Sequence, residues 1–93
     1  MSMNLIDYQA AVVAMPLYDD PALGLPGEVG ELLEHIKKDR RPEVHRKPLN
    51  GDLFLKEAGD VLWYLTRLVA DNGYSMEDVA NINIQKLNKR HGL

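Results

Sequence analysis

Two short stretches hold residue types and spacings that could do chemistry. "GEVGE", Gly27 to Glu31, contains Glu28 and Glu31, and "EAGD", Glu57 to Asp60, contains Glu57 and Asp60. Both read acid, apolar, glycine, acid. A glycine in a helix interior costs about 1 kcal/mol against alanine, so two such glycines, each inside a pair of carboxylates, call for a reason. Carboxylates crowded together raise one another's pKa until some protonate. A hard divalent cation removes that conflict. Mg²⁺ prefers carboxylate oxygens, keeps several waters and takes substrate phosphates as further ligands.

The acids need elements to carry them. Asn4 caps a first predicted helix over "LIDYQAAVVAM", which Pro16 stops. Asp20-Pro21 opens a second, with an acid at the cap and proline at the first helical position. It runs toward Lys38, where basic residues suit the helix dipole. Pro26 either kinks this segment or marks its true start. Asp39 to Gly51 holds Pro42, Pro48 and Asn50-Gly51, which is loop chemistry. Asp52 starts a long segment to about Asp71, ended by Asn72-Gly73. Ser75 and Asp78 resemble a capping box for a last helix running to about Arg90. No segment alternates as a strand does, so the expected fold is all-α: an antiparallel bundle of about four helices in one domain over residues 1–93.

Successive helical residues turn by about 100°. With Glu28 at zero, Val29, Leu32, Leu33 and Ile36 form an apolar face between about 40° and 140°, while Glu31 and His35 fall near 300° and 340°. With Glu57 at zero, Phe54, Ala58, Val61, Leu65 and Leu68 lie between about 20° and 100°, with Asp60 near 300° and Tyr64 near 340°. Both helices thus carry acids on the same flank of an apolar face. If those faces pack antiparallel, four carboxylates converge at one edge of the core. Gly30 and Gly59 then either admit a neighbouring backbone or keep the wall of the site clear. Read otherwise, acids spaced three apart on helices are solvated surface charge.

Composition narrows the class. The chain has 93 residues, 45% apolar and 27% charged, with a formal net charge of −3. A chain this short buries a modest core, and self-association to a homodimer or homotetramer would enlarge it. The charge offers no basic field for nucleic acid. The absence of cysteine excludes disulfides and thiolate metal sites. No apolar run reaches the roughly 18 residues of a membrane span, and no signal peptide is visible, so a cytoplasmic protein is expected.

Beyond the acids, "LGLPGEVGELLEHIKK", "KEAGDVLWYLTRLV" and "GYSMEDVANINIQKLNKRHG" together resemble the MazG-like nucleoside triphosphate pyrophosphohydrolases of the all-α NTP pyrophosphatase superfamily. The family signature, E-x-x-E, a spacer and E-x-x-D, falls here on Glu28, Glu31, Glu57 and Asp60. The resemblance implies that these four acids bind Mg²⁺, with Mn²⁺ a substitute. It also implies that water attacks the α-phosphorus of a nucleoside triphosphate to give the monophosphate and pyrophosphate. Glu31 or Glu28 would orient or deprotonate that water. The resemblance further implies nucleotide contacts from Asn83 and Lys86, with Arg90 beside them, and at least a dimer. Pro26 departs from the small helix-forming residue usual at its position.

Other residues are candidates in their own right. Lys37 and Lys38 follow the first acid pair and could meet phosphates, or simply suit a helix C-terminus. Trp63 and Tyr64 follow Asp60, where an aromatic ring stacks on a base or fills the core. The stretch "DRRPEVHRKPLNG" is basic and could close over a triphosphate as a lid, or serve as a solvated connector. Two other functions compete with general triphosphate hydrolysis: a dUTP- or dCTP-specific pyrophosphatase of the same fold, and a non-catalytic helical interaction module. A redox di-metal bundle would favour E-x-x-H, whereas His35 follows Glu31 by four residues.

Overall fold

The computed structural model describes residues 2–17, 19–39 and 51–93, with all their side chains except those of Lys38 and Asp39. Four helices follow in order: α1 (Leu5–Val13), α2 (Pro21–Asp39), α3 (Gly51–Asp71) and α4 (Met76–His91). No strand occurs among the described residues, so the all-α reading holds. None of the described helices is long and apolar enough to cross a membrane.

The helix starts follow the capping chemistry. Asn4 Oδ1 accepts the amide of Asp7 at 2.8 Å, and Asp20 Oδ1 accepts that of Ala22 at 2.9 Å. Ser75 and Asp78 complete a capping box: Ser75 Oγ accepts the Asp78 amide at 3.0 Å, and Asp78 Oδ2 accepts the Ser75 amide at 3.2 Å. Pro21 is the first residue of α2 and Pro26 lies inside it, so Pro26 does not mark the start. α1 ends at Val13, short of the predicted Met15. At the end of α3, the amide of Tyr74 reaches Val69 O at 3.2 Å and that of Gly73 reaches Ala70 O at 3.0 Å. This paired closure requires a left-handed residue, and Gly73 supplies it with φ of 84°.

The chain forms two compact units, residues 1–17 with 66–93, and residues 18–65. The first contains α1, the end of α3 and α4, with α1 packed on α4. Its core is Val12, Thr66 and Met76. Gln9 on α1 is bonded through both ends of its amide: Nε2 donates to Tyr74 O at 3.1 Å, and Oε1 accepts the Met76 amide at 2.7 Å. Arg67 closes the other end of α1. Its Nη1 donates to the carbonyls of Val12 and Val13 in the last turn of α1, and to that of Met15 just beyond it, at 3.3, 3.4 and 3.0 Å; the last carbonyls of a helix have no intrahelical partner.

The second unit contains α2 and α3 as far as Leu65. Phe54, Ala58, Val61 and Leu65 are half-buried, as their shared face predicts. Val29, Leu32 and Ile36 are half-buried too, but Leu33 is 58% exposed, so the covered face of α2 is narrower than its apolar stripe. The Lys56–Asp52 ion pair on α3, at 3.1 Å, is exposed at both ends and adds little to stability.

Candidate metal centre

α2 and α3 run antiparallel in the second unit, since Gly24 meets Tyr64 while the acids further along α2 meet Glu57. Helical spacing sets Glu28 and Glu31 on one flank of α2, and Glu57 and Asp60 on one flank of α3. Glu28, Glu31 and Glu57 each offer a carboxylate oxygen within 4.8 Å of the others. Glu28 and Glu57 are the inner, half-buried members, whereas Glu31 and Asp60 are exposed. Asp60 is outside the tight trio, yet its charge acts on Glu28.

The inner acids are short of partners. Oε2 of Glu28 and Oε2 of Glu57 are both buried without a hydrogen bond to any described residue, an expensive state for carboxylate oxygens. Burial pushes the Glu28 carboxyl above its ordinary value of 4.5, and the charges of Glu31, Asp60, Glu57 and Asp19 push it the same way. Converging negative charge and buried oxygens that meet no hydrogen-bond donor among the described residues are what a hard cation would satisfy. The residues therefore fit a divalent ion.

Tyr64 lies on the same stripe of α3, one turn past Asp60. Its hydroxyl donates to the Asp19 carboxylate, at 2.9 Å from Oδ2 and 3.1 Å from Oδ1. That hydrogen bond is the largest cause raising the Tyr64 pKa above 10.0, followed by burial and by the charges of Asp19, Glu28 and Asp60. Trp63, the sequence candidate for base stacking, is half-buried, with its ring edge-on to Tyr64 at 5.2 Å and 85°.

Among the described residues of one chain, the glycines of the two motifs face open space. A Cβ on Gly30 or Gly59 would meet nothing within 4 Å. Close approach occurs instead at Gly24, where a Cβ would overlap the Tyr64 ring. The sequence reading missed Gly24 and Asp19. The available signal was spacing: Gly24 precedes Glu28 by one helical turn, on the acid stripe.

Of the remaining candidates, Asn83 and Lys86 are exposed on α4. Both line an open groove of about 670 Å³ with Tyr74, Asp78, Val79 and Ile82. Arg90 is exposed on the last turn of α4 and is not part of that lining. His35 is half-buried and Lys37 exposed. The Lys38 side chain lies outside the described residues, as does the Asp39–Gly51 stretch read as a lid or connector, apart from its ends: Asp39 closes α2 and Gly51 opens α3, so those two are helical rather than loop.

Paired helices that gather carboxylates on facing flanks, with inner oxygens unpartnered, define a class of all-α proteins built around an acidic cation-ready site. Residues 22–92 match the MazG nucleotide pyrophosphohydrolase domain, and the chain belongs to that family. It is also 32% identical over 71 residues to the Gene 37 protein of Mycobacterium phage L5, a match covering 73% of this chain and 60% of the phage protein. The chain thus spans about three-fifths of that relative's length. No solved structure matches it.

Proposed function

We propose that the protein is a Mg²⁺-dependent nucleoside triphosphate pyrophosphohydrolase, releasing the monophosphate and pyrophosphate. The observation that carries this reading is the trio Glu28, Glu31 and Glu57, with two buried oxygens that have no partner among the described residues, in a chain of the MazG family. These three acids, with Asp60 as a fourth, would hold the ion. When bound, it lowers the pKa of water and offsets charge on phosphate oxygens.

The chain's own groups supply the rest. A carboxylate of the Glu28–Glu31 pair accepts the proton of the attacking water. The water oxygen bonds to the α-phosphorus, and the bond to the bridging oxygen breaks toward pyrophosphate. Lys86 supplies a point charge for phosphate oxygens, and Asn83 supplies directional donors and acceptors for base or sugar. A homodimer or homotetramer belongs to the same reading. Val12 and Met76 are the buried hydrophobic side chains among the described residues, while Ile6, Leu33, Leu55, Val79 and Ile82 are exposed. Light scattering at micromolar concentration measures that assembly.

Pyrophosphate release from a panel of canonical and modified NTPs and dNTPs, with and without Mg²⁺, tests the function. Release across several bases supports the general activity, and release from dUTP or dCTP alone narrows it. No release from any nucleotide leaves a non-catalytic module.

A further inference from the structure

We propose that Tyr64 is a positioning residue for the carboxylate trio. Seated on Gly24 and tied to Asp19, its ring sets the register of α2 against α3 that brings Glu28, Glu31 and Glu57 together. This inference rests on the cation-dependent reading above and concerns how the cation site is held in shape.

The two stripes explain the mechanism. On α2, Gly24, Glu28 and Glu31 lie along one flank, and on α3, Glu57, Asp60 and Tyr64 do the same. Run antiparallel, they oppose the largest side chain of one stripe to the position of the other that has none. A Cβ at Gly24 would lie 2.6 Å from Tyr64 Cζ, 2.9 Å from Cδ1 and nearer still to Cε1. By contrast, a Cβ at Gly27, Gly30 or Gly59 would meet nothing within 4 Å. The ring is therefore a spacer that fits α2 at one register.

A tyrosine ring could ordinarily swing away from an added methyl. Here its tip is held, because the hydroxyl donates to both oxygens of Asp19, just before the Asp20 cap of α2. Swinging the ring would break that tether and release Asp19, whose charge already bears on Glu28. A phenylalanine would fill the same space, so the hydroxyl serves to join α3 to the entry of α2. Helices locked at one end cannot slide, and sliding by one residue would turn the acids away from one another.

Mn²⁺ binding, read by electron paramagnetic resonance and calorimetry, tests this in the wild-type chain and in Gly24→Ala, Tyr64→Phe, Asp19→Asn and Gly27→Ala. Gly24→Ala should weaken Mn²⁺ by about 10- to 100-fold, the range for residues that orient metal ligands from behind. It should lower kcat more than it changes KM. Tyr64→Phe and Asp19→Asn should each weaken Mn²⁺ less, by several-fold, with helical circular dichroism retained. Gly27→Ala should bind as the wild type does. The proposal is overturned if Tyr64→Phe and Gly24→Ala both keep wild-type affinity, or if Gly27→Ala weakens binding as much as Gly24→Ala. Should Gly24→Ala fail to fold, Tyr64→Phe decides alone. A wild-type chain that binds Mn²⁺ yet hydrolyses no nucleotide removes the hydrolase reading while the variants still decide this one. A wild-type chain that binds no Mn²⁺ overturns both.

Discussion

Gln9 and Arg67 turn their polar ends onto the backbone of their own unit, reaching Tyr74 and Met76 in one case and carbonyls at and just past the end of α1 in the other. In the unit of α2 and the start of α3, Glu28 and Glu57 each keep a buried oxygen with no partner among the described residues. Even Arg67 Nε, which has no hydrogen bond among the described residues, faces an opposite charge on Asp71 at 3.4 Å. A buried polar group with a partner holds a fold together, whereas one left without a partner costs stability unless something else binds it. The difference separates residues that maintain the fold from residues poised for a ligand, and it makes the two sets respond oppositely to mutation.

The largest expected effect is on the acids. Glu28→Ala or Glu57→Ala should lower kcat/KM for pyrophosphate release by about a hundred-fold or more, as for groups acting in the transition state. Glu31→Ala and Asp60→Ala should follow. The metal-free melting temperature should hold or rise, because like-charge repulsion is removed. Glu34→Ala, on an exposed position of α2, is the control, and equal damage there would mean the stripe is wrongly assigned.

Arg67→Met should do the reverse. Its side chain is 16% exposed, and losing its charge-assisted bonds to the α1 carbonyls should cost about 2–3 kcal/mol. In a domain of this size that lowers the melting temperature by about 10 °C or more. Activity per folded molecule should survive below the transition. Loss of turnover at an unchanged melting temperature would erase the division between the units.

Ser75→Ala sharpens the same contrast at lower amplitude. It removes one half of the α4 capping box and should cost about 1 kcal/mol, visible as a shift in urea midpoint with unchanged KM.

The smallest effect concerns pH. The folded-state pKa of Glu28 is raised, so between the unfolded and folded values the native state binds more protons. Its contribution to stability is full below the ordinary value of 4.5 and is lost as pH rises through the folded-state pKa. Urea midpoints of the metal-free chain should therefore carry a downward component over that window. Glu28→Gln should remove it, and excess Mg²⁺ should offset it by binding the ionised form.

Much of this was legible in the sequence because it rests on local chemistry. Asn4, Asp20-Pro21 and the Ser75–Asp78 box announce helix starts through side chains that satisfy nearby amides, and Asn72-Gly73 announces an end through the left-handed turn. Helical periodicity likewise set Glu28, Glu31, Glu57 and Asp60 on matching flanks. What periodicity cannot supply is the register between two helices, because that depends on which side chains meet. Asp19, Gly24 and Tyr64 are separated along the chain and form one contact only after α2 and α3 pair. The exposure of Leu33 has the same origin: an apolar stripe shows where a helix could be covered, and only the partner's width shows how far.

Trp63 is the single tryptophan of the chain, and its ring stands edge-on to Tyr64 at 5.2 Å. The protein thus carries an intrinsic fluorophore beside the ring of the Asp19–Tyr64 tether. Ultraviolet excitation selective for indole reads this neighbourhood alone, while α1 and α4, which contain no tryptophan, stay dark. Emission wavelength, lifetime and quenching of this one ring can follow a cation or nucleotide arriving at the unlabelled protein.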